Sequence, residues 1–253
     1  MSDPYYRDDL VTLYHGDCLT ETAWLAADVL VTDPPYGMAY APRGTYNRLT
    51  GKTAKSSLSK IANDRLTQVR DESLRAWGDR PAIIFGTWRV QRPDNVKHRL
   101  IWHKAGQAPG PARASFMLQD EEIYILGSGF PTTSPPMRSV IRTTEARSIE
   151  VARIGHPTPK PVGLMEILIG RCPEGTIADP FAGSGATLLA ARNLSRRAIG
   201  VELDESYCEL IAKRLSQQAF DFSEPVRAHP SKVELRSSGW SGAEETFDFG
   251  GVA

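Results

Sequence analysis

Seven short apolar runs punctuate the chain, each bounded by turn-forming or polar residues. They are LVTLY (10–14), VLVT (29–32), AIIFG (82–86), RLIWH (99–103), EIYILG (122–127), TIAD (176–179) and AIGVEL (198–203). Runs of this length, rich in β-branched and aromatic residues, predict buried strands. Helical segments lie between several of them: 70–78 ahead of the third run, 162–170 ahead of the sixth, and 186–194 directly after it. After the seventh run, Asp204 is placed to cap a helix over 204–218, with Tyr207, Leu210, Ile211 and Leu215 on one face. This alternation predicts an α/β fold with a mostly parallel sheet and helices on both faces. From about Phe220 the pattern fails. Residues 219–253 are polar and rich in Gly, Ser and Pro, and read as a mobile tail beyond a single domain of residues 1–218.

Composition narrows the class. A chain of 253 residues can bury a full core, and 41% hydrophobic with 24% charged residues is ordinary for a globular protein. No stretch reaches the roughly 18 apolar residues of a membrane span, and the start, MSDPYYRDDL, is too polar for a secretory leader. Cys18, Cys172 and Cys208 form neither a CxxC nor a metal-ligand spacing. The expectation is a cytoplasmic protein with reduced thiols, no membrane and no metal. Thirty basic and thirty acidic residues cancel, which counts against a nucleic-acid binder. The distribution softens that objection, because residues 219–253 hold six acids and only three bases. Residues 38–60 carry Arg43, Arg48, Lys52, Lys55 and Lys60 and no acid; a second basic segment, 131–155, carries Arg138, Arg142, Arg147 and Arg153.

TIADPFAGSGATLLAARNL predicts a strand, a glycine turn and a helix. Gly183 and Gly185 allow a tight turn and close approach of a ligand to the backbone, and the helix behind them offers unpaired N–H groups. Glu202 closes the next strand, nineteen residues after Gly183, where an acid can hold ribose hydroxyls. The loop therefore reads as a nucleoside-cofactor site. A nicotinamide dinucleotide is disfavoured, because the third position of GxGxxG is Leu188 where a small residue is needed. The Walker phosphate-binding pattern is absent from the sequence.

DPFAGSG in the second half, together with DPPY (33–36) in the first, resembles the amino-methylating DNA methyltransferases. These transfer a methyl group from S-adenosylmethionine to an exocyclic amine of adenine or cytosine. With DPPY ahead of the glycine loop, the chain is similar to the circularly permuted β group, over about residues 10–218. The resemblance implies a Rossmann-like three-layer fold whose seven-stranded, mostly parallel sheet has one antiparallel edge strand. It implies S-adenosylmethionine as cofactor, double-stranded DNA as partner, site-specific methylation of a flipped base and a restriction-modification setting. It leaves a homodimer open. Asp179, Phe181, Gly183, Ser184 and Gly185 match the family's cofactor loop. In HGDC, Asp17 matches the acid that reaches the cofactor's adenine. HPTPKP (156–161) resembles the segment that closes over the methionine part, which implicates His156, Thr158 and Lys160. Pro159 stands where the family often has Gln, and Ala186 where Thr is frequent. Adenine N6 is the leading target, since DPPY is commonest in that subgroup; cytosine N4 is the alternative. A non-catalytic nucleic-acid-binding relative and a nicotinamide oxidoreductase are the readings from other classes. Asp33, Tyr36, Gly183, Gly185 and Glu202 standing together argue against the first, and Leu188 against the second.

Within this resemblance the two prolines acquire a purpose. Each fixes φ near −65° and lacks an N–H, and each pushes the residue before it toward extended geometry. Asp33-Pro34-Pro35 is therefore a stiff element at a strand's C-terminal end. The Pro34 carbonyl and the Asp33 carboxylate can accept the two hydrogens of an amine. Tyr36 offers a ring for the flipped base, and Gly37 lets the chain turn away. His15 reads as a strand-end residue, and Trp88 and Trp102 as core or pocket walls.

Overall fold

The computed structural model describes residues 2–38, 46–47, 52–53, 67–105, 118–133, 135–143 and 159–219. Every residue of VLVT and AIIFG is buried, as strands covered on both faces require. They form β3 (Val29–Thr32) and β6 (Ala82–Gly86) in the middle of the sheet. The other strands are β1 (Tyr6–Arg7), β2 (Val11–His15), β7 (His98–Lys104), β8 (Asp120–Leu126), β9 (Val140–Thr143), β10 (Ile177–Asp179) and β11 (Ala198–Glu202). A separate two-stranded ribbon pairs β4 (Tyr46–Asn47) with β5 (Lys52–Thr53) inside the basic segment 38–60. Among the described residues the α-helices are α1 (Gln68–Trp77), α2 (Val162–Ile169), α3 (Ala186–Asn193) and α4 (Glu205–Ala219).

The main sheet runs β1-β2-β11-β10-β3-β6-β8-β7-β9. Its five central strands, β2, β11, β10, β3 and β6, are mutually parallel. All seven apolar runs appear in it as strands, and two short edge strands bring the described total to nine. β1 has two residues, and β9 has one buried side chain, Ile141, so neither carries the apolar run that marks a strand in sequence. The antiparallel partner of β6 is β8, which lies inside β7 and β9 rather than at the rim. The reason is burial. β8 buries Glu122, Ile123, Tyr124 and Leu126, whereas β7 begins with exposed His98 and Arg99 and suits an outer place.

Strand alternation builds the layers. Val29, Val31, Ile83 and Phe85 face one core with Leu164, Leu168, Leu188 and Leu189 of the helices; Leu30, Ala82 and Ile84 face the other with Trp24 and Trp77. The two tryptophans stack at 5.8 Å between centroids, and the Arg80 guanidinium lies 3.6 Å from the Trp77 ring centre. Leu188 packs fully buried because the small residue stands on the strand opposite. A Cβ on Gly200 of β11 would sit 2.6 Å from Leu188 Cδ1. Close helix–strand approach is thus preserved with the sizes exchanged. Asp204 caps α4 as expected, its Oδ1 accepting the Ser206 N–H at 2.9 Å. The three cysteines are free and buried. No helix among the described residues is long and apolar enough to cross a membrane. The proposed tail lies outside the described residues from 220 onward.

Candidate active site

Parallel strands place their C-terminal ends along one edge, the usual ligand side of such sheets. β10 pairs β3 with Ile177 opposite Val29, and β11 pairs β2 with Glu202 opposite His15. DPPYG, DPFAGSG, Glu202 and HGDC therefore all emerge together. A hydrogen bond ties the residue before DPPYG to the first acid of DPFAGSG: Thr32 Oγ1 donates to Asp179 Oδ1 at 2.6 Å, across 147 positions of sequence.

One half of this edge is built from glycine and backbone. Gly183 (φ +52°) and Gly185 (φ +79°) are left-handed, a region that glycine enters without steric cost. At Gly185 a Cβ would also come within 2.9 Å of Ile211 Cγ1. The buried Glu202 carboxylate accepts the Gly183 N–H at 2.6 Å and the Asp204 N–H at 2.8 Å. Burial nevertheless pushes its carboxyl up to about 7, because two neutral donors only partly replace water. Burial likewise raises Asp179 to about 6, against the hydroxyls of Thr187 and Thr32 and the Phe181 N–H. Asp17 lies one strand over. The neighbouring Gly16 N–H donates to the Glu202 carbonyl at 2.9 Å, and Asp17 Oδ1 accepts the Leu19 N–H at 2.9 Å. Ser184 is buried and Phe181 half-buried at the turn. A buried carboxylate for hydroxyls, a second carboxylate nearby and a turn opened by two left-handed glycines fit a nucleoside.

The other half is built from charged side chains. Asp33 Oδ2 accepts from Lys160 Nζ at 2.5 Å, and Asp33 Oδ1 accepts from the Tyr36 hydroxyl at 2.8 Å. Glu121, near the start of β8, accepts from Lys160 Nζ at 3.2 Å and from the Tyr36 hydroxyl at 3.3 Å, and pairs also with Lys104 at the end of β7. The Lys160 ammonium lies 4.9 Å from the Phe85 ring centre and 5.6 Å from that of Tyr36. Burial alone would raise Glu121, but the two lysines hold it down at about 2. Burial raises the Asp33 carboxyl, Lys160 opposes the rise, and the net direction is upward. Burial and the adjacent carboxylates push the Tyr36 phenol well above its ordinary value. For Lys160 the attraction of Asp33 and Glu121 outweighs burial and raises it.

Asp17, Asp33, Pro34, Pro35, Tyr36, Lys160, Asp179, Phe181, Gly183, Ser184, Gly185 and Glu202 all belong to this edge. Lys160, implicated by the resemblance in the segment over the methionine part of a cofactor, has its ammonium on Asp33. Glu121 and Lys104 are the residues that the sequence left unnoticed. Their only signal is polar: an acidic start to one apolar strand and a lysine ending another. Trp102 is core, but Trp88 is not: it is 62% exposed just past β6, with the Arg89 guanidinium 5.6 Å from its ring centre. β6 ends at Gly86, so the chain has already left the sheet and its cover there. His15 is an exposed strand end, its Nε2 3.2 Å from the Leu203 carbonyl. Arg138 and Arg142 are exposed. His156, Thr158, Arg43, Arg48, Lys55, Lys60, Arg147 and Arg153 lie outside the described residues, as does the side chain of Lys52 in β5.

Comparison with solved structures defines the class first. The chain is similar to the M1.HpyAVI–SAM complex at 22% identity, covering 81% of this chain and 100% of that one with a TM-score of 0.57. It is similar to the PvuII DNA methyltransferase (cytosine-N4-specific) at 17% identity, covering 83% and 88% with a TM-score of 0.55. The fold is thus the Rossmann-like methyltransferase fold. The N6/N4 methyltransferase family model, described as DNA methylase, matches residues 27–214, and the chain belongs to that family. Among curated relatives, the type II methyltransferase M.HinfI of Haemophilus influenzae is 32% identical over 270 residues, covering 91% of this chain and 73% of M.HinfI. The protein is a DNA methyltransferase of the N6-adenine/N4-cytosine family.

Proposed function

We propose that this enzyme methylates the N6 amine of adenine, flipped out of double-stranded DNA at a specific sequence, with S-adenosylmethionine as donor. Residues 1–218 form the catalytic domain. The observation that carries the reading is the Thr32–Asp179 hydrogen bond. It ties the end of the strand that leads into Asp-Pro-Pro-Tyr to the first acid of the glycine loop, which supports an amine and a nucleoside cofactor meeting at this edge. The acid at position 33 favours adenine, as in the DPPY subgroup.

When bound, S-adenosylmethionine supplies a methyl group on a positively charged sulfur. Glu202 would hold the cofactor's ribose hydroxyls and Asp17 its adenine, with Asp179, Phe181, Gly183, Ser184 and Gly185 of the glycine turn completing the site. By the resemblance, His156, Thr158 and Lys160 would serve its methionine part. Asp33 and the Pro34 carbonyl accept the two amine hydrogens; among the described residues no donor occupies that carbonyl. Held this way, the nitrogen turns its lone pair toward the cofactor. This is catalysis by positioning and fixed dipoles. Pro35 keeps the acceptors rigid, and the leaving proton lies closest to Asp33. Extruding the base costs a few kcal/mol, while stacking on Tyr36 returns about 1–3 kcal/mol. The exposed Trp88 at the same edge is a second ring for DNA. Arg43, Arg48, Lys52, Lys55 and Lys60, with exposed Arg138 and Arg142, neutralise phosphates.

Expression in a methylation-free host, followed by sequencing of modified bases, tests the reading. N6-methyladenine in one sequence context is the expected result. N4-methylcytosine would reassign the base, and unmodified DNA from a cofactor-binding protein would overturn the proposal.

A further inference from the structure

Both oxygens of Asp33 are engaged within the protein, one by Lys160 and one by Tyr36. An amine arriving at Asp33 must share or displace one of those donors. Lys160 has a second acceptor in reach, Glu121 Oε2 at 3.2 Å. The other oxygen of Glu121 is paired with Lys104. Two ammonium groups and two carboxylates therefore alternate in a row, Lys104–Glu121–Lys160–Asp33, with no net charge. The row is assembled from β7, β8, the residue two places before α2, and the end of β3. Lys104 and Lys160 are only 8% and 7% exposed. Burying such groups is costly, and a well-packed apolar set would often be as stable. Stability alone is thus a weak reason for the row to exist. Methyl transfer as described above uses neither Glu121 nor Lys104.

We propose that Lys104, Glu121 and Lys160 are positioning residues for Asp33: Lys160 keeps its carboxylate charged and turned to the base, and Glu121 retains the ammonium when the amine displaces it. The proposal rests on the reading of Asp33 as amine acceptor. The row acts through Asp33 and does not touch the substrate.

Its members act on Asp33 with opposite signs. An adjacent cation favours the ionised carboxylate, and an adjacent anion disfavours it. The groups facing Asp33 are Lys160, Tyr36, Glu121 and Asp179, with Lys104 behind Glu121. Lys160 opposes the upward push of burial, and Glu121 adds to it. Removing each charge must therefore move the Asp33 titration in opposite directions. A residue needed only for folding has no such signature.

The test uses the full chain, saturated with S-adenosylmethionine where rates are read. The Asp33 carboxyl is titrated by 13C NMR, with its resonance assigned by loss in Asp33→Asn. In parallel, single-turnover methyl transfer to duplex DNA is followed against pH. Lys160→Met should raise the Asp33 titration by roughly one unit or more, the usual reach of a neighbouring charge, and move the acid limb of the rate with it. Glu121→Gln should lower both, and Lys160→Arg should stay near the parent. Shifts in the same direction, or none, overturn the proposal; so do opposite NMR shifts that the rate does not follow. Far-UV circular dichroism and thermal unfolding report folding of each variant. Should Lys160→Met not fold, Glu121→Gln decides alone: a downward shift supports the row, and an upward or absent one overturns it. Full turnover by Asp33→Ala is a separate outcome, sinking the reading of the reaction rather than the electrostatic coupling.

Discussion

The two halves of the catalytic edge hold carboxylates in different ways. On the β10–β11 side, Glu202 and Asp179 are held by backbone N–H groups and hydroxyls, and burial raises them to about 7 and about 6. On the β3–β8 side, Glu121 lies between two lysines and falls to about 2. Neutral dipoles leave a carboxylate near its titration point at physiological pH, and its N–H partners can make way for ligand hydroxyls. At Glu121 the formal charges lock the ionised form and the geometry with it, whereas at Asp33 burial still wins and Lys160 only opposes the rise. The first arrangement suits a site that must take up and release a ligand. The second suits a group that must keep one orientation through a reaction.

The largest expected effect separates the halves outright. Asp33→Ala should cut single-turnover methyl transfer by about 10³-fold, the scale of losing one preorganised electrostatic contact, with cofactor affinity by calorimetry nearly unchanged. Weakened cofactor binding as the main effect would erase the division. The mirror substitution, Glu202→Ala, should weaken cofactor binding by about 10- to 100-fold, the range for hydrogen bonds to a charged group. Its rate at saturating cofactor should hold near the parent's, and a collapse there would move Glu202 into the chemistry.

A pH series sharpens the same contrast. Hydroxyl donors favour the charged form of Glu202, so binding expels its proton wherever the free protein carries one. Cofactor affinity should rise with pH up to about 7 and then level off, with a slope of at most about tenfold per unit. Without cofactor the sign for stability is reversed. A raised carboxyl stabilises the fold fully below its unfolded value of 4.5 and loses that contribution as pH rises through about 7. Affinity that falls with pH across this window would contradict the role of Glu202. The smallest effect is expected at the ring. Tyr36→Phe keeps the stacking face and removes a hydroxyl from Asp33 and Glu121. A loss of about 1 kcal/mol, or roughly fivefold in rate, is expected in single-turnover measurements; a loss as large as that of Asp33→Ala would make the hydroxyl more than an orienting group.

The five parallel strands were legible because each falls in a short, mostly apolar run bounded by turn-forming or polar residues. β1 and β9 were not, since edge strands need little burial. The glycine turn and Glu202 were legible because a left-handed turn and a strand-end acid leave local marks at a set distance. Leu188 pointed correctly away from a nicotinamide dinucleotide, but it did not reveal how close helix–strand packing is kept. It removes the helix side of a close packing contact that Gly200 supplies from the strand, and no local pattern links those two positions. The core reading of Trp88 failed, because a large apolar side chain suggests burial unless the end of its strand is known.

The sequence by itself determined which segments become strands and helices, where the backbone must turn on glycine or stiffen on proline, and which acids end those strands. These are properties of a few neighbouring residues and their intrinsic geometry. The tertiary structure alone decided that Lys160 reaches Asp33 across 127 positions and that Glu121 stands between two lysines. Charge pairing depends on distance in space and on the exclusion of water, and neither is written at any single place along the chain.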